Sequence, residues 1–203
     1  MWINSARRPY TMYDLFFKKF NEKVLLSPGE EEQIKTYLTT RKLRRKQYLL
    51  QAGDVCKTLA FVEKGALREY SVDNNTEHII QFALEGWIIS DLFSFLTGEP
   101  ATYNIDALED SELVLLTKSE HDLLLQTQPK YETYIRLLMT NAYLALQRRL
   151  TASTSLSVEE RYTNFVTMYP DIAQRVPQHM IASYMGLTPE TLSRARKKMA
   201  NRK

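Results

Sequence analysis

The spacing of hydrophobic and polar positions changes character twice along this chain. Residues 11–40 read as helical. Within them Ser27 precedes Pro28 and the acids Glu30, Glu31 and Glu32, which predicts a helix start: Ser27 as N-cap, Pro28 in the first position and carboxylates at the positive end of the dipole. From about Arg44 to Thr117 the chain runs in short β-rich stretches with turn residues between them. "RKQYLLQAGD" closes in a Gly-Asp turn, and "LAFVEKGALREYSV" reads as two strands about Lys64-Gly65. "SVDNNTEHIIQFAL" is strand, Asp-Asn-Asn turn and strand, and "YNIDALEDSELVLLT" predicts a further hairpin through Glu109-Asp110. Turn signals every ~8–12 residues indicate a sandwich or barrel, and no βαβ alternation supports a parallel sheet.

After Lys118 the helical period returns. Ser119 is the predicted cap of a short helix over "EHDLLLQ", and Pro129 opens a long one, "PKYETYIRLLMTNAYLALQRRL". On the long helix Tyr131, Ile135, Leu138, Ala142 and Ala145 fall at spacings of 4, 3, 4 and 3, the repeat of a coiled-coil seam. Tyr134, Leu137 and Leu144 lie off that seam. A helix apolar on two sides needs two partners. Its own barrel is one, and a second copy of the chain is the expected other, giving a homodimer through residues 130–150. The alternative is a helix that crosses one domain's interior. "TASTSLSVEE" reads as a polar hinge, Ser157 with Glu160 as the capping box of a helix "VEERYTNFVTMY", and "PDIAQRVPQ" as a connector.

The last stretch, "PQHMIASYMGLTPETLSRARKKMANRK", splits into two helices about "GLT". Gly186 ends the first, from Gln178 to Met185, because glycine takes the left-handed C′ conformation without steric cost. Thr188 is a good N-cap for the second, with Pro189 at the first position and Glu190 in the first turn. Ile181, Ala182, Met185, Leu187 and Leu192 can form one small core. Helix, tight glycine turn and capped helix make a helix-turn-helix. Its outward residues are Thr188, Glu190, Thr191, Ser193, Arg194, Lys197 and Lys198, the types that read base edges and phosphates of double-stranded DNA. Arg194 suits guanine O6 and N7, and Glu190 suits cytosine N4. An ordinary basic helical hairpin is the plainer reading.

Charge sharpens this picture. The net charge of +3 divides into −3 over residues 1–160 and +6 over residues 161–203, which places a polyanion partner at the C-terminal end. Cys56 is the only cysteine, so an internal disulfide and an all-cysteine metal or iron–sulfur site are excluded. No run of eighteen apolar residues predicts a membrane span, and the N-terminus has no signal-peptide pattern, so a cytoplasmic protein is expected. His78, His121 and His179 are isolated and read as surface or turn residues, which offers no haem or metal ligand set.

With barrel, long helix and terminal helix-turn-helix in that order, the chain resembles the Crp/Fnr family of bacterial transcription regulators. "EERYTNFVTMYPDIAQRVPQHMIASYMGLTPETLSRARK" is similar to the small subgroup common in Bacteroidetes-type bacteria. The resemblance implies an α+β chain: a double-stranded β-helix (jelly roll, cyclic-nucleotide-binding-like) over residues 1–128, a dimerisation helix and hinge over 129–156, and a helix-turn-helix domain over 157–203. Ending at Lys203, the chain leaves no room for a β-hairpin wing. The family also implies a phosphate-binding cassette, matched here by "GWIISDLFSFLTGEPATYNIDAL". Ser90 stands at the cassette's glycine and Asp91, followed by Leu92, at its glutamate. Ala101 stands at the arginine, Thr102 at the Ser/Thr and Tyr103 at the alanine. Without the arginine the cyclic phosphate loses its charge partner. No response to cyclic AMP and no cofactor are therefore expected, although another small ligand fits the shape. Pro189 stands where some relatives carry a base-reading arginine, so their operator preference does not transfer.

A dimeric regulator, with RNA polymerase as a further partner, is thus the leading reading. A small-ligand sensor with vestigial DNA binding, or an RNA binder, is the second. A metal-dependent enzyme of the double-stranded β-helix kind is the third, and it would need a His-x-His with a third ligand, whereas only His78 lies within the strands.

Overall fold

The structure, a computed structural model, describes residues 12–200. Among these residues eight strands form two antiparallel sheets. One runs β1 (Thr39–Leu43), β8 (Ser111–Thr117), β3 (Thr58–Lys64), β6 (Ile88–Ile89); the other runs β2 (Tyr48–Leu50), β7 (Asn104–Ala107), β4 (Leu67–Asp73), β5 (Thr76–Ala83). This is the expected jelly roll. Only β4 and β5 are hydrogen-bonded neighbours in sequence, joined by Asn74 and Asn75 at φ 48° and 61°, the left-handed pair that a tight primed turn needs.

The hairpin expected at Glu109-Asp110 does not form. β7 and β8 belong to different sheets, and the chain crosses between layers there. Turn chemistry alone does not distinguish a hairpin from a corner between sheets. Gly65 turns the neighbouring corner, from β3 to β4, at φ +99°. A Cβ there would lie 2.3 Å from Ser111 Oγ, so the two corners pass too closely for any side chain.

The helices follow from their caps. α1 (Asp14–Asn21) and α2 (Pro28–Lys35) precede the roll, and Ser27 with Glu30 closes a capping box. α3 (Leu92–Thr97) interrupts it. α4 (Lys118–Thr127) is capped by Thr117 with Glu120 rather than by Ser119, because β8 runs straight into the helix. α5 (Pro129–Ser155) extends through the first half of the predicted hinge. The hydroxyls of Ser153, Thr154 and Ser155 bond back to carbonyls one turn earlier, which lets a Ser/Thr-rich run stay helical. α6 (Val158–Met168) starts at the Ser157–Glu160 capping box. The expected connector is itself a short helix, α7 (Pro170–Arg175), followed by α8 (Gln178–Tyr184) and α9 (Pro189–Ala200).

Three apolar layers result. Leu59, Val62, Leu67, Ile89, Ile105 and Leu113 fill the space between the sheets. Phe16, Phe20, Phe61, Leu116 and Tyr134 join the outer face of the first sheet to α1, α2, α4 and α5, with Phe20 stacked on Tyr134 at 4.1 Å. Tyr70, Ile79 and Phe82 on the outer face of the second sheet meet Phe165, Ile172 and Ile181 from α6 to α8.

Two expectations change here. Tyr131 and Ile135 are buried against the chain's own roll and offer nothing to a second copy. His121 is buried rather than superficial: its Nδ1 lies 2.7 Å from the Tyr131 hydroxyl, and burial lowers its pKa.

Candidate nucleic-acid interface and ligand cassette

α8 ends as glycine permits. Gly186 takes φ +66°, Leu187 N donates to the Ala182 carbonyl at 2.9 Å, and the chain turns into α9. Thr188 caps α9, its Oγ1 accepting from Thr191 N at 3.2 Å. Ile181, Ala182, Met185, Leu192 and Ala195 close the small core. The face opposite that core carries Thr188, Glu190, Ser193, Arg194, Lys197 and Lys198, all exposed, with Thr191 half-buried among them. Arg194 Nη2 leans toward Thr191 Oγ1 at 3.4 Å, and Lys198 Nζ pairs with Glu159 of α6 at 2.8 Å. The structure thus gathers every residue expected on this face. It ties Lys198 back to its own domain, a contact visible only once α6 and α9 are packed together.

The helical unit is seated on the roll. Ser183 Oγ donates to the Glu77 carbonyl at 2.9 Å and accepts from Ile79 N at 3.0 Å, joining α8 to β5. β5 bulges opposite Glu69 and Tyr70, and the Ile80 carbonyl accepts from Arg149 of α5 at 2.8 Å. Arg175 is bidentate to Glu85 at 2.6 and 3.0 Å and reaches Glu109 at 2.7 Å. Burial alone would raise the Glu85 pKa. The Arg175 hydrogen bonds outweigh it and hold the carboxyl below its usual range.

The cassette keeps its shape. Asp91 caps α3, and Gly98 closes it in the left-handed region at φ 78°. Asp91 Oδ1 accepts from Ser94 N at 3.0 Å, and Oδ2 accepts from Thr102 N at 3.0 Å and Tyr103 N at 3.3 Å. Three backbone amides of the cassette are therefore occupied by the chain's own carboxylate. Ala101 is buried in the interior core, Tyr103 is half-buried, Leu92 is exposed, and Ser90 Oγ sits 3.3 Å from Cys56 Sγ.

Three features escaped the sequence reading. Arg68 is buried on the outer face of β4, with Nε 2.8 Å and Nη2 3.0 Å from Asp106, paired also with Glu77, and stacked 4.2 Å over Tyr70. Burial opposes its charge, but the two acids outweigh burial and raise its pKa. Glu69, the next residue, is buried on the inner face. A cavity of about 530 Å³ opens between the sheets, lined by Tyr48, Leu50, Cys56, Ser90, Ile105 and Leu115 among others. The adjacent charges of "LREYSV" were the available signal, since neighbouring strand residues face opposite ways.

The roll with its cassette, the long helix and the paired helices behind it define a protein class: a sensor-type roll attached to a helix-turn-helix. Residues 40–128 match the cyclic nucleotide-binding domain family. Over 83% of the chain it is 26% identical to the fumarate and nitrate reduction regulatory protein of Vibrio cholerae, 72% of which is covered. It is 25% identical to the electron transport regulator A of Shewanella oneidensis, again covering 83% of the chain and 72% of the relative. The structure of FixK2 from Bradyrhizobium japonicum superposes with a TM-score of 0.70 at 17% identity, covering 81% of this chain and 85% of that one. Together these likenesses support a transcription regulator of the Crp/Fnr kind. Among the described residues no helix is long and apolar enough to cross a membrane, and no cluster of three His, Cys, Asp or Glu could hold a metal.

Proposed function

We propose that the chain is a homodimeric, cytoplasmic DNA-binding regulator that sets α9 into the major groove, acts on RNA polymerase at promoters and does not respond to cyclic AMP. One observation carries the reading. The exposed face of α9 collects Glu190, Arg194 and Lys197 over a core that fixes its direction. Arg194 and Glu190 lie in the half of the helix that meets base edges; Lys197, a turn later, meets phosphate. Lys198, itself exposed, reaches phosphate by exchanging its pair with the half-buried Glu159.

Dimerisation uses α5, one step round from the predicted seam. Met139, Tyr143, Leu146 and Leu150 repeat at spacings of 4, 3 and 4, and Tyr143, Leu146 and Leu150 are 60%, 53% and 65% exposed. Cyclic AMP is refused because Asp91 occupies amides of the cassette and no arginine stands at Ala101. A mobility-shift selection over genomic fragments, with and without cyclic AMP, tests this reading. Expected is one palindromic site bound equally in both conditions. Binding only with the nucleotide, or to no sequence preferentially, overturns it.

A further inference from the structure

The cavity between the sheets has a cationic mouth. β1 is an edge strand, and its residues alternate between two faces. Leu43 points into the core between the sheets, and Arg41, two residues earlier, shares that face. Lys42, between them, points the other way and pairs with Glu112 at 3.1 Å. Arg41 crosses from one sheet to the other, its Nη2 donating to the Tyr48 carbonyl of β2 at 3.1 Å. That bond uses one donor of a planar fork and leaves the others for a carboxylate. Lys57, in the loop before β3, lines the same cavity. Asp54 is the one acid in the lining, and among the described residues no ion pair joins it to either cation. Two cations and one acid leave the mouth a single positive charge.

Behind the mouth the walls are apolar, made by Leu49, Leu50, Ile105 and Leu115. The volume, about 530 Å³, falls within the roughly 300–1,000 Å³ of small-molecule sites. Of the cassette only Ser90 lines this space, and Asp91, Ala101, Thr102 and Tyr103 stand off it. It is therefore distinct from the seat of a cyclic phosphate. A charge pointing inward on an edge strand also guards that edge against pairing with another sheet. Arg41 alone would serve that end. Lys57 lies outside the strands and does nothing for the edge, yet it lines the same space.

We propose that this cavity binds an aliphatic monocarboxylate, with Arg41 and Lys57 as charge partners of the carboxylate and the alkyl chain among the leucines. A second negative charge would meet Asp54, which selects against phosphomonoesters. Both cations are exposed, so solvent limits their joint contribution to roughly tenfold in affinity. This site stands apart from the DNA-binding reading.

Calorimetry on the full chain without DNA tests it, with octanoate, 1-octanol, octylammonium and acetate as probes. Expected is about one octanoate per chain, bound roughly tenfold tighter than 1-octanol, with octylammonium weaker still and no heat from acetate. Arg41→Gln should weaken octanoate roughly fivefold and leave 1-octanol unchanged. Lys42→Gln, the same loss of charge on the opposite face of β1, should change neither. Absence of octanoate heat, equal or tighter binding of 1-octanol or octylammonium, or no difference between the two variants each overturn the proposal. The headgroups are compared on the native chain, so a variant that fails to fold still leaves a decisive result. Operator binding is measured separately, so either idea can fail alone.

Discussion

Arg68 and Glu69 are neighbours in sequence and opposite in fate. Arg68 goes outward to two carboxylates, and Glu69 goes inward to none. The sign of the Glu69 contribution follows. Its pKa in the folded chain, about 8, lies above the ordinary 4.5, so between those values the folded state holds a proton that the unfolded state has lost. Stability is therefore full below about pH 4.5 and declines as pH rises toward 8, at up to about 1.4 kcal/mol per pH unit. Glu69→Gln should remove that slope, so its advantage in melting temperature should grow from pH 5 to pH 8. A constant difference would mean that Glu69 is solvated. The second prediction concerns α9. Arg194→Ala should cost ~1–3 kcal/mol per half-site and relax preference at one base pair. Lys197→Ala should weaken all sequences alike and lower the salt slope by about 0.9. Titration over a randomised operator at two salt concentrations separates the roles, and an exchange of the two patterns would place α9 differently in the groove.

At the scale of elements, local signals were legible and sheet membership was not. Ser27-Pro28, Ser157 with Glu160 and Gly186 before Thr188 each carry their chemistry within a few residues, and each forms as read. Thr117 was missed as a cap because it also ends β8. Whether Glu109-Asp110 makes a hairpin or a corner depends on which sheet lies across from β7, a contact remote in sequence. α5 shows the same limit. Its two apolar faces were visible, but which one the roll consumes depends on the docking of α1, where Phe20 meets Tyr134. Cassette geometry was legible as loop–helix–loop, whereas the Asp91 bonds to Thr102 and Tyr103 needed the fold. The dimer prediction moves accordingly. Leu146→Asp with Leu150→Asp should yield monomers by light scattering and leave the roll intact, because both side chains are more than half exposed in one chain. The same change at Tyr131 and Ile135 should instead unfold the contact with α1, since each is buried there. A dimer that survives the first pair of changes would place the interface elsewhere.

Across the whole molecule the question is what holds the helix-turn-helix in a fixed direction, since two half-sites are read together only if both recognition helices keep their separation. The seat on the second sheet has an apolar part, Phe82 with Tyr184 and Phe165, and a polar part made by Ser183 and Arg175. Arg175 is the single cation serving both Glu85 and Glu109 in that contact, and its side chain is 29% exposed, so solvent discounts its contribution to about 1 kcal/mol. The Glu85 pKa is depressed, so this part of the stability is present above its ordinary carboxyl range and is lost as pH falls through the lowered value. Arg175→Ala should leave the roll and α9 folded while loosening the seat. Hydrogen exchange should then quicken at Ile79 N, whose acceptor is Ser183 Oγ, and leave the β3–β8 ladder unchanged. Palindromic operator affinity should fall by about fivefold, the equivalent of about 1 kcal/mol, while affinity for an isolated half-site stays the same. Equal losses on both DNAs would show that Arg175 supports the fold of the reader itself. A gain on the palindrome would show that the docked arrangement restrains DNA binding, and α8 would have to leave β5 for α9 to read its site.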